Sequence, residues 1–392
     1  MLKFLSPDNK EIFLFILFFT SKYITYILQF IIYDFCMYFI ITGQHKHIIE
    51  EALLYLHPTN IYWYKSGIIT FDTLYPERLS TAWFIIKRGK VCNNKELSDK
   101  TEWYSLLWSS SKDTAMMLKR QLPHIKRFKL VDLIHTDIEI KNEWKEIVNI
   151  DGKNRWIVEW YQNISLYETI DFQKPVGGMT IGMMPSKLAH TLINIGVGEY
   201  ETKEGKNQNP HSLTIRDPFC GFGTTNFLAN TLQYNTIWSD LNSTSIKQNL
   251  KWRYTTPYYH EDNRMTVVKQ DVKEIFDSPF FRYADIVVSE WRLWHIITNA
   301  TWPKEAENSS LAVEGLYKSF FDNLSFFLQK NKKHLTLVMT IPVWIKHNHN
   351  FSVSESIKDH SISLGRQSRL IKDPYSRPWQ LVGRQILIAQ KI

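Results

Sequence analysis

The chain has 392 residues, 44% apolar and 22% charged, which excludes wholesale disorder and fibrous repeats and suits two domains. Lys and Arg (47) outnumber Asp and Glu (39), and the formal charge of +8 suits a polyanionic partner or, equally, a basic surface kept for solubility. The cysteines Cys36, Cys92 and Cys220 lie far apart with no C-x-x-C, which argues against a disulfide framework or a zinc site and fits a reducing cytoplasm.

Residues 12–33 are very apolar but are split by Ser21 and Lys22. A membrane anchor needs about 20 uninterrupted apolar residues, and Lys22 would fall near mid-span. A secretory signal needs a small-residue cleavage site, and none is evident. From Met37 the text reads as a strand, a glycine turn and an amphipathic helix, a normal way to begin a domain. Met37 is therefore the expected start of the folded protein, with 1–36 an apolar extension outside it. Lys3, Lys10 and Lys22 cancel Asp8, Glu11 and Asp34, so the net charge belongs to 37–392.

Residues 37–165 mix short elements without strict alternation. Strands are expected at Tyr38–Thr42, in a pair over Asn60–Phe71, and at Trp83–Lys87, Arg127–Ile134 and Trp156–Trp160, with helices at Ile48–Leu56 and Lys112–Leu122. This is a small α+β domain. Tyr167–Gly178, with a proline and two glycines, reads as a linker. Over 166–392 strands and helices alternate. Helices are expected at Lys187–Ile195, Thr225–Leu232, Thr244–Tyr254, Leu311–Gln329 and Ser354–Leu364. Strands are expected at Leu213–Arg216, Asn235–Ser239, Met265–Lys269, Asp285–Ser289 and Leu335–Ile341, and in a last pair, Ser368–Lys372 and Gln380–Ala389. Such alternation implies a mostly parallel, doubly wound sheet, to which the last pair adds an antiparallel strand.

The strongest chemical signal is DPFCGFGTT at 217–225, between a strand and a helix. Gly221 and Gly223 permit a tight turn and close approach of a ligand, and the helix start at Thr224–Thr225 offers free N–H groups to an anion. Alone, a G-x-G is an ordinary tight turn. Asp240 ends the next strand, where a carboxylate can accept both hydroxyls of a ribose. Asp271 ends the third strand, placed for the far end of the same ligand, such as an adenine amino group. Each aspartate alone also suits a helix cap or a turn. Neither G-x-G-x-x-G nor G-x-x-x-x-G-K-[ST] occurs, which disfavours a dinucleotide oxidoreductase or an NTPase.

DPFCGFGTT, SDLN, QDV and DIVVSE together resemble the class I S-adenosylmethionine-dependent methyltransferases that act on exocyclic amines. IGMMPSKLAHTLINIG before the loop and RPWQLVGRQILI at the end resemble, more closely, the THUMP-type tRNA guanosine-N2 methyltransferases. The resemblance covers nearly all of 37–392 and is specific in the catalytic half. It implies a Rossmann-like catalytic domain preceded by a ferredoxin-like and THUMP-like region that grips tRNA, with S-adenosylmethionine as cofactor. It places the methionine part of the cofactor on Asp217, Phe219, Gly221, Gly223 and Thr224, the ribose on Asp240 and the adenine side on Asp271. Pro185 and Lys187 would close over the cofactor. Glu290 matches the acidic position that accepts a hydrogen bond from the target amine, although the usual Pro-Pro-Tyr after it is replaced by Trp291-Arg292-Leu293. An exocyclic amine is a poor nucleophile, and a carboxylate polarises its N–H and takes up developing positive charge. The bland alternative for Glu290 is an ion pair with Arg292 or Lys304.

Two other functions stay open. A DNA adenine or cytosine amino-methyltransferase shares DPF-x-G-x-G-T, although many such enzymes place the acidic strand end before the loop. A catalytically inactive RNA-binding relative would explain the irregular SEWRLW. The basic text Lys119–Arg127 suits an RNA-facing patch or a solvated helix end. His45 with His47, and His347 with His349, lack a third ligand at suitable spacing, so no metal is expected.

Glycine (15) is scarce at about 4% against an ordinary ~7%, and tryptophan (14) is nearly as common. Trp238, Trp291, Trp294 and Trp379 stand at glycine-like places, and Trp83 and Trp160 fit the pattern less well. A genome that reads UGA as glycine, translated under a code that reads it as tryptophan, would produce this. The alternative is a Trp-rich surface that stacks bases. UGA codons at 238, 291 and 294 are the expected result of sequencing the coding DNA, and UGG there would overturn the idea.

Overall fold

The computed structural model describes residues 37–42, 45–64, 67–73, 75–82, 84–92, 103–109, 116, 120, 125–130, 144–149, 155–177, 183–205, 209, 212–241, 243–260, 264–272, 283–290, 304–331, 334–346, 349–376 and 380–391. The apolar extension 1–36, most of the helix expected at Lys112–Leu122, and Trp83, Trp291, Trp294 and Trp379 lie outside the described residues. The chain divides into two units, one of Met1–Ile41, Pro58–Leu74 and Lys87–Tyr161, the other of Thr42–His57, Tyr75–Ile86 and Gln162–Ile392.

The first unit is built on β1 (Met37–Thr42), β2 (Pro58–Trp63), β3 (Ile68–Thr73), β4 (Ile85–Cys92), β5 (Trp103–Ser109), β6 (Ile125–Leu130), β7 (Trp144–Asn149) and β8 (Arg155–Tyr161). They form one sheet in the order β2-β3-β1-β4-β8-β7-β5-β6. β5 runs parallel to both β6 and β7. β5 and β7 are absent from the sequence expectation because WYSLLWS and WKEIVN lack both clean alternation and flanking turn residues. Edge strand β2 is largely exposed and carries an irregularity between Thr59 and Tyr62, which blunts it as a template for pairing.

The second unit begins with α1 (Lys46–Ala52), a 3₁₀ turn at Leu53–Leu56 and another at Pro76–Ser80. α2 (Ile164–Phe172) and α3 (Ser186–Glu204) follow. Then come β9 (Thr214–Asp217), α4 (Thr224–Thr231), β10 (Asn235–Asp240), α5 (Ser243–Arg253), β11 (Met265–Lys269) and β12 (Ile286–Glu290). The chain ends with α6 (Lys304–Asn331), β13 (Thr336–Lys346), β14 (His349–Phe351), α7 (Ser354–Ser363), β15 (Arg366–Leu370) and β16 (Val382–Lys391).

The linker expected at Tyr167–Gly178 is half helix. Asn163 caps α2 by accepting from the Leu166 N–H at 3.1 Å, and Leu166, Tyr167 and Ile170 are buried. Pro175 and the glycines beyond mask this short helical signal in the sequence. α6 starts earlier than the apolar period suggests, because its polar first turn holds Glu305 and Glu307, which suit a helix N-terminus.

The sheet of this unit runs β11-β10-β9-β12-β13-β16-β15. The first five strands are mutually parallel. β16 is antiparallel to both its neighbours. This is a Rossmann-like, doubly wound order, with the antiparallel strand inserted rather than added at the edge. Burial explains the insertion: Ile386, Leu387, Ile388 and Ala389 of β16 are all buried, whereas β15 alternates buried and exposed and takes the edge. Both faces are covered. Gly196 of α3 lies against Ile286, Val288 and Val338. On the other face Val287, Leu337 and Met339 share a core with Tyr317, Phe320, Phe321 and Leu324 of α6. Each such aliphatic side chain contributes about 1.5–3 kcal/mol on burial.

The early segments are pinned to α3. Glu201, 1% exposed, receives Arg78 at both carboxylate oxygens (2.7 and 2.5 Å) and meets His57 Nε2 at 2.9 Å. Arg369 of β15 reaches Glu51 of α1 at 2.6 Å and Glu199 of α3 at 2.5 Å.

Candidate active site

In a doubly wound sheet, ligands bind beyond the carboxyl ends of the strands where the strand order reverses. Here that point lies between β9 and β12, since the chain goes from β9 outward to β10 and β11 and then returns to β12 on the other side of β9. Asp217 is the last residue of β9, Asp240 of β10 and Glu290 of β12, and Asp271 lies two residues beyond β11. All four therefore fall on one sheet edge.

Asp217 is buried, and its Oδ1 accepts from Ser289 Oγ at 2.5 Å and from the Phe219 N–H at 3.1 Å. The Ser289 contact ties β9 to β12 across the switch point. Burial pushes the Asp217 carboxyl up to about 7, against the opposing effect of its hydrogen bonds from Ser289, Phe219 and Thr225. A raised acid binds its proton more tightly in the folded chain, so Asp217 favours folding below its unfolded value of 3.8 and loses that contribution as pH rises to about 7. Asp217→Asn keeps an acceptor for Ser289 and removes the titration. Relative to wild type, its urea midpoint is expected to rise between pH 4 and pH 7.5, and parallel pH profiles would contradict this assignment.

The loop after β9 is held by backbone bonds from Cys220 N to Ser239 O (3.0 Å) and from Gly223 N to Cys220 O (2.6 Å). Asp240 Oδ2 accepts from the Gly221 N–H at 2.9 Å, so this carboxylate also shapes the loop. Gly221 has φ +49°, and a Cβ there would meet nothing closer than Phe219 O at 3.9 Å, leaving open space in front of the turn. Gly223 has φ +80°, and a Cβ there would lie 2.5 Å from the Trp238 ring. Gly223 is thus required by packing, Gly221 by conformation alone.

Trp238 itself is 1% exposed, donates from Nε1 to Thr236 Oγ1 at 2.9 Å and packs on Cys220 and Ile246. The Arg253 guanidinium stacks on it at 5.4 Å. The indole is seated in the core beneath the loop.

Phe219 is half-buried with its ring 5.9 Å from Phe320, so it anchors the loop to the α6 core. Thr224 opens α4 and is buried. Pro185 is buried at the N-cap of α3, and the Lys187 ammonium stacks on Tyr167 of α2 at 5.2 Å. Asp271 is half-buried on the shared edge, next to Gln270, whose N–H donates to Asp240 O at 3.1 Å.

Glu290 pairs with a cation, Arg384 of β16, and not with Lys304; Arg292 lies outside the described residues. Arg384 Nε donates to Glu290 Oε1, and both side chains are buried. Burial pushes the Glu290 carboxyl up, and the Arg384 charge partly offsets this. The pair fixes one carboxylate oxygen, and among the described residues Oε2 has no partner, so it is the acceptor at the strand end.

Four contributors are not expected from the sequence. Ser289 and Arg384 are recognisable only through strand register. Lys174, inside the expected linker, is buried with Nζ 2.6 Å from Thr224 Oγ1. Asn249 of α5 binds this segment to the loop: Oδ1 accepts from Val176 N at 2.9 Å, and Nδ2 donates to Val176 O at 2.7 Å and Phe222 O at 3.0 Å.

Among the described residues no group of three or more His, Cys, Asp or Glu could hold a metal ion. His47 instead meets Glu50 at 2.9 Å. No helix among them is long and apolar enough to cross a membrane. Of the basic run Lys119–Arg127, only the side chain of Arg120 is described, and it is exposed.

No family model and no curated protein matches the chain. Solved structures do. A "possible methylase" of Clostridium difficile 630 is 12% identical, with 91% of this chain and 98% of that one covered and a TM-score of 0.42. A "predicted N6-adenine-specific DNA methylase" of Listeria monocytogenes is 10% identical, with 91% and 96% covered and a TM-score of 0.36. A magnesium protoporphyrin IX methyltransferase of Synechocystis, solved with bound SAH, is 12% identical, with 58% and 94% covered and a TM-score of 0.33. The likeness concerns the fold.

Proposed function

We propose that this protein transfers a methyl group from S-adenosylmethionine to an exocyclic amine of a nucleobase in RNA, guanosine N2 in tRNA. The observation that carries the reading is the Asp217–Ser289 hydrogen bond across the switch point. It joins the glycine loop to the strand end that bears Glu290, so a ligand-cradling turn and a buried acceptor share one edge. The residues fit the cofactor. The open space at Gly221 admits a ligand against the backbone, Asp240 offers a carboxylate at the end of β10, and the start of α4 favours an anionic group. S-adenosylmethionine, when bound, supplies an electrophilic methyl group on a sulfonium.

The chain's own residues do the rest. Arg384 favours the ionised form of the Glu290 carboxyl against the effect of burial and orients it through Oε1. Oε2 then accepts an N–H of the target amine and stabilises the positive charge that develops on nitrogen. A base paired in a stem must be extruded to reach this acceptor. The net charge of +8 suits a phosphate backbone.

Asp240→Ala is expected to weaken cofactor binding by about 10-fold or more, because it removes both a ligand acceptor and the partner of the Gly221 N–H. Isothermal titration measures this, and an unaltered dissociation constant would remove Asp240 from the site. The acceptor is tested by offering labelled cofactor with tRNA and with plasmid DNA. Label in tRNA supports the proposal. Methylated adenine in the plasmid with tRNA unlabelled would replace it by the DNA reading.

A further inference from the structure

We infer that Lys174 takes the carboxylate of the cofactor's methionine moiety, which makes it a cofactor-binding residue outside the glycine loop and the acidic strand ends. This rests on the methyl-donor reading above.

Lys174 carries a misplaced charge. Lys174 is buried, and its Nζ donates to Thr224 Oγ1, a neutral hydroxyl, at 2.6 Å. Lys174 forms no ion pair among the described residues. Asp171 acts on it only at longer range and spends Oδ1 on the Ser186 N–H at 3.0 Å. An uncompensated buried ammonium is costly. Its location adds to the cost, because Thr224 is the first residue of α4, and a helix N-terminus repels cations and attracts anions. A cation and a helix N-terminus facing one spot make sense together when an anion lies between them.

Further observations point the same way. Asn226, in the first turn of α4, is 0% exposed with neither side-chain atom hydrogen-bonded. The segment carrying Lys174 is fastened to the loop at Phe222 through Asn249, so the ammonium is delivered to the turn rather than left on a free strap. The Gly221 turn is open where a Cβ would stand. Burial lowers the Lys174 ammonium to about 7, so a bound carboxylate would restore its charge.

The test compares S-adenosylhomocysteine, which has the amino-acid carboxylate, with 5′-methylthioadenosine, which lacks it. Titrated into Lys174→Met, S-adenosylhomocysteine should lose about 10- to 100-fold in affinity while methylthioadenosine binds as to wild type. Unchanged methylthioadenosine binding also shows that the variant is folded. A second measurement needs no variant. At pH 8, S-adenosylhomocysteine binding to wild type should take up a proton, read from the dependence of the heat on buffer ionisation, and methylthioadenosine should take up none. Equal losses for both ligands, or no loss for either, would overturn the role of Lys174, as would equal proton uptake. If wild type binds neither ligand, the methyl-donor reading itself falls.

Discussion

Glu290→Gln is expected to lower the rate of methyl transfer by about 10²–10⁴ while leaving cofactor affinity unchanged. The substitution is nearly isosteric, so the glutamine oxygen still accepts from Arg384 Nε, as Glu290 Oε1 does. What changes is the other end of the group. The acceptor Oε2 becomes an NH₂, which presents a donor to the donor N–H of the target amine and carries no charge to balance the developing ammonium. The pH profile should change as well. Burial holds the Glu290 carboxyl above its ordinary 4.5, so the wild-type rate is expected to fall on acidification through that raised value. That limb should vanish in the variant. Single-turnover kinetics with calorimetry of cofactor binding separates the two effects, and an unchanged rate would remove Glu290 from the chemistry.

Arg384→Met carries the largest expected effect on stability, a loss of about 3–5 kcal/mol. Both members of the pair are buried, with side chains 4% and 8% exposed, and removing the guanidinium leaves a carboxylate without its counter-charge. The carboxyl then responds by moving further up, toward the neutral form. Adding Glu290→Gln to Arg384→Met leaves no buried charge at this point, so the double variant is expected to recover much of the lost stability and none of the activity. Urea denaturation of the single and double variants measures this. A stability for Arg384→Met equal to wild type would mean that the pair carries no weight in the fold.

The legible parts of this molecule are those in which neighbours in sequence are neighbours in space. DPFCGFGTT runs unbroken from strand through turn to helix, and Asp240 and Glu290 end apolar strand runs, so periodicity finds their places. The parallel order of the second unit's sheet follows from strand–helix alternation. Features that depend on register or long-range contact were not legible. Arg384 meets Glu290 across 94 residues of sequence and through the position of β16 next to β13. Segments 42–57 and 75–86 belong to the larger unit because His57 and Arg78 converge on Glu201, 144 and 123 residues away. Lys174 was obscured for a different reason. Proline and glycine around it signal a loop, and a loop is ordinarily solvated, whereas Asn249 fastens this one into the interior. α2 was hidden by the same composition. The irregular text after Glu290 prompts the idea of an inactive relative. Trp238, seated directly under the loop, supports the turn at Gly223 instead of blocking it.

In the proposed function the glycine loop and Glu290 form one methyl-transfer site for an RNA base. The most direct test is nucleoside mass spectrometry of tRNA after incubation of the full chain with methyl-labelled S-adenosylmethionine, alongside Glu290→Gln. Label in N2-methylguanosine is expected with wild type, and little or none with the variant. Label on another nucleoside, equal labelling by the two proteins, or no label from a wild-type chain that binds the cofactor would contradict it.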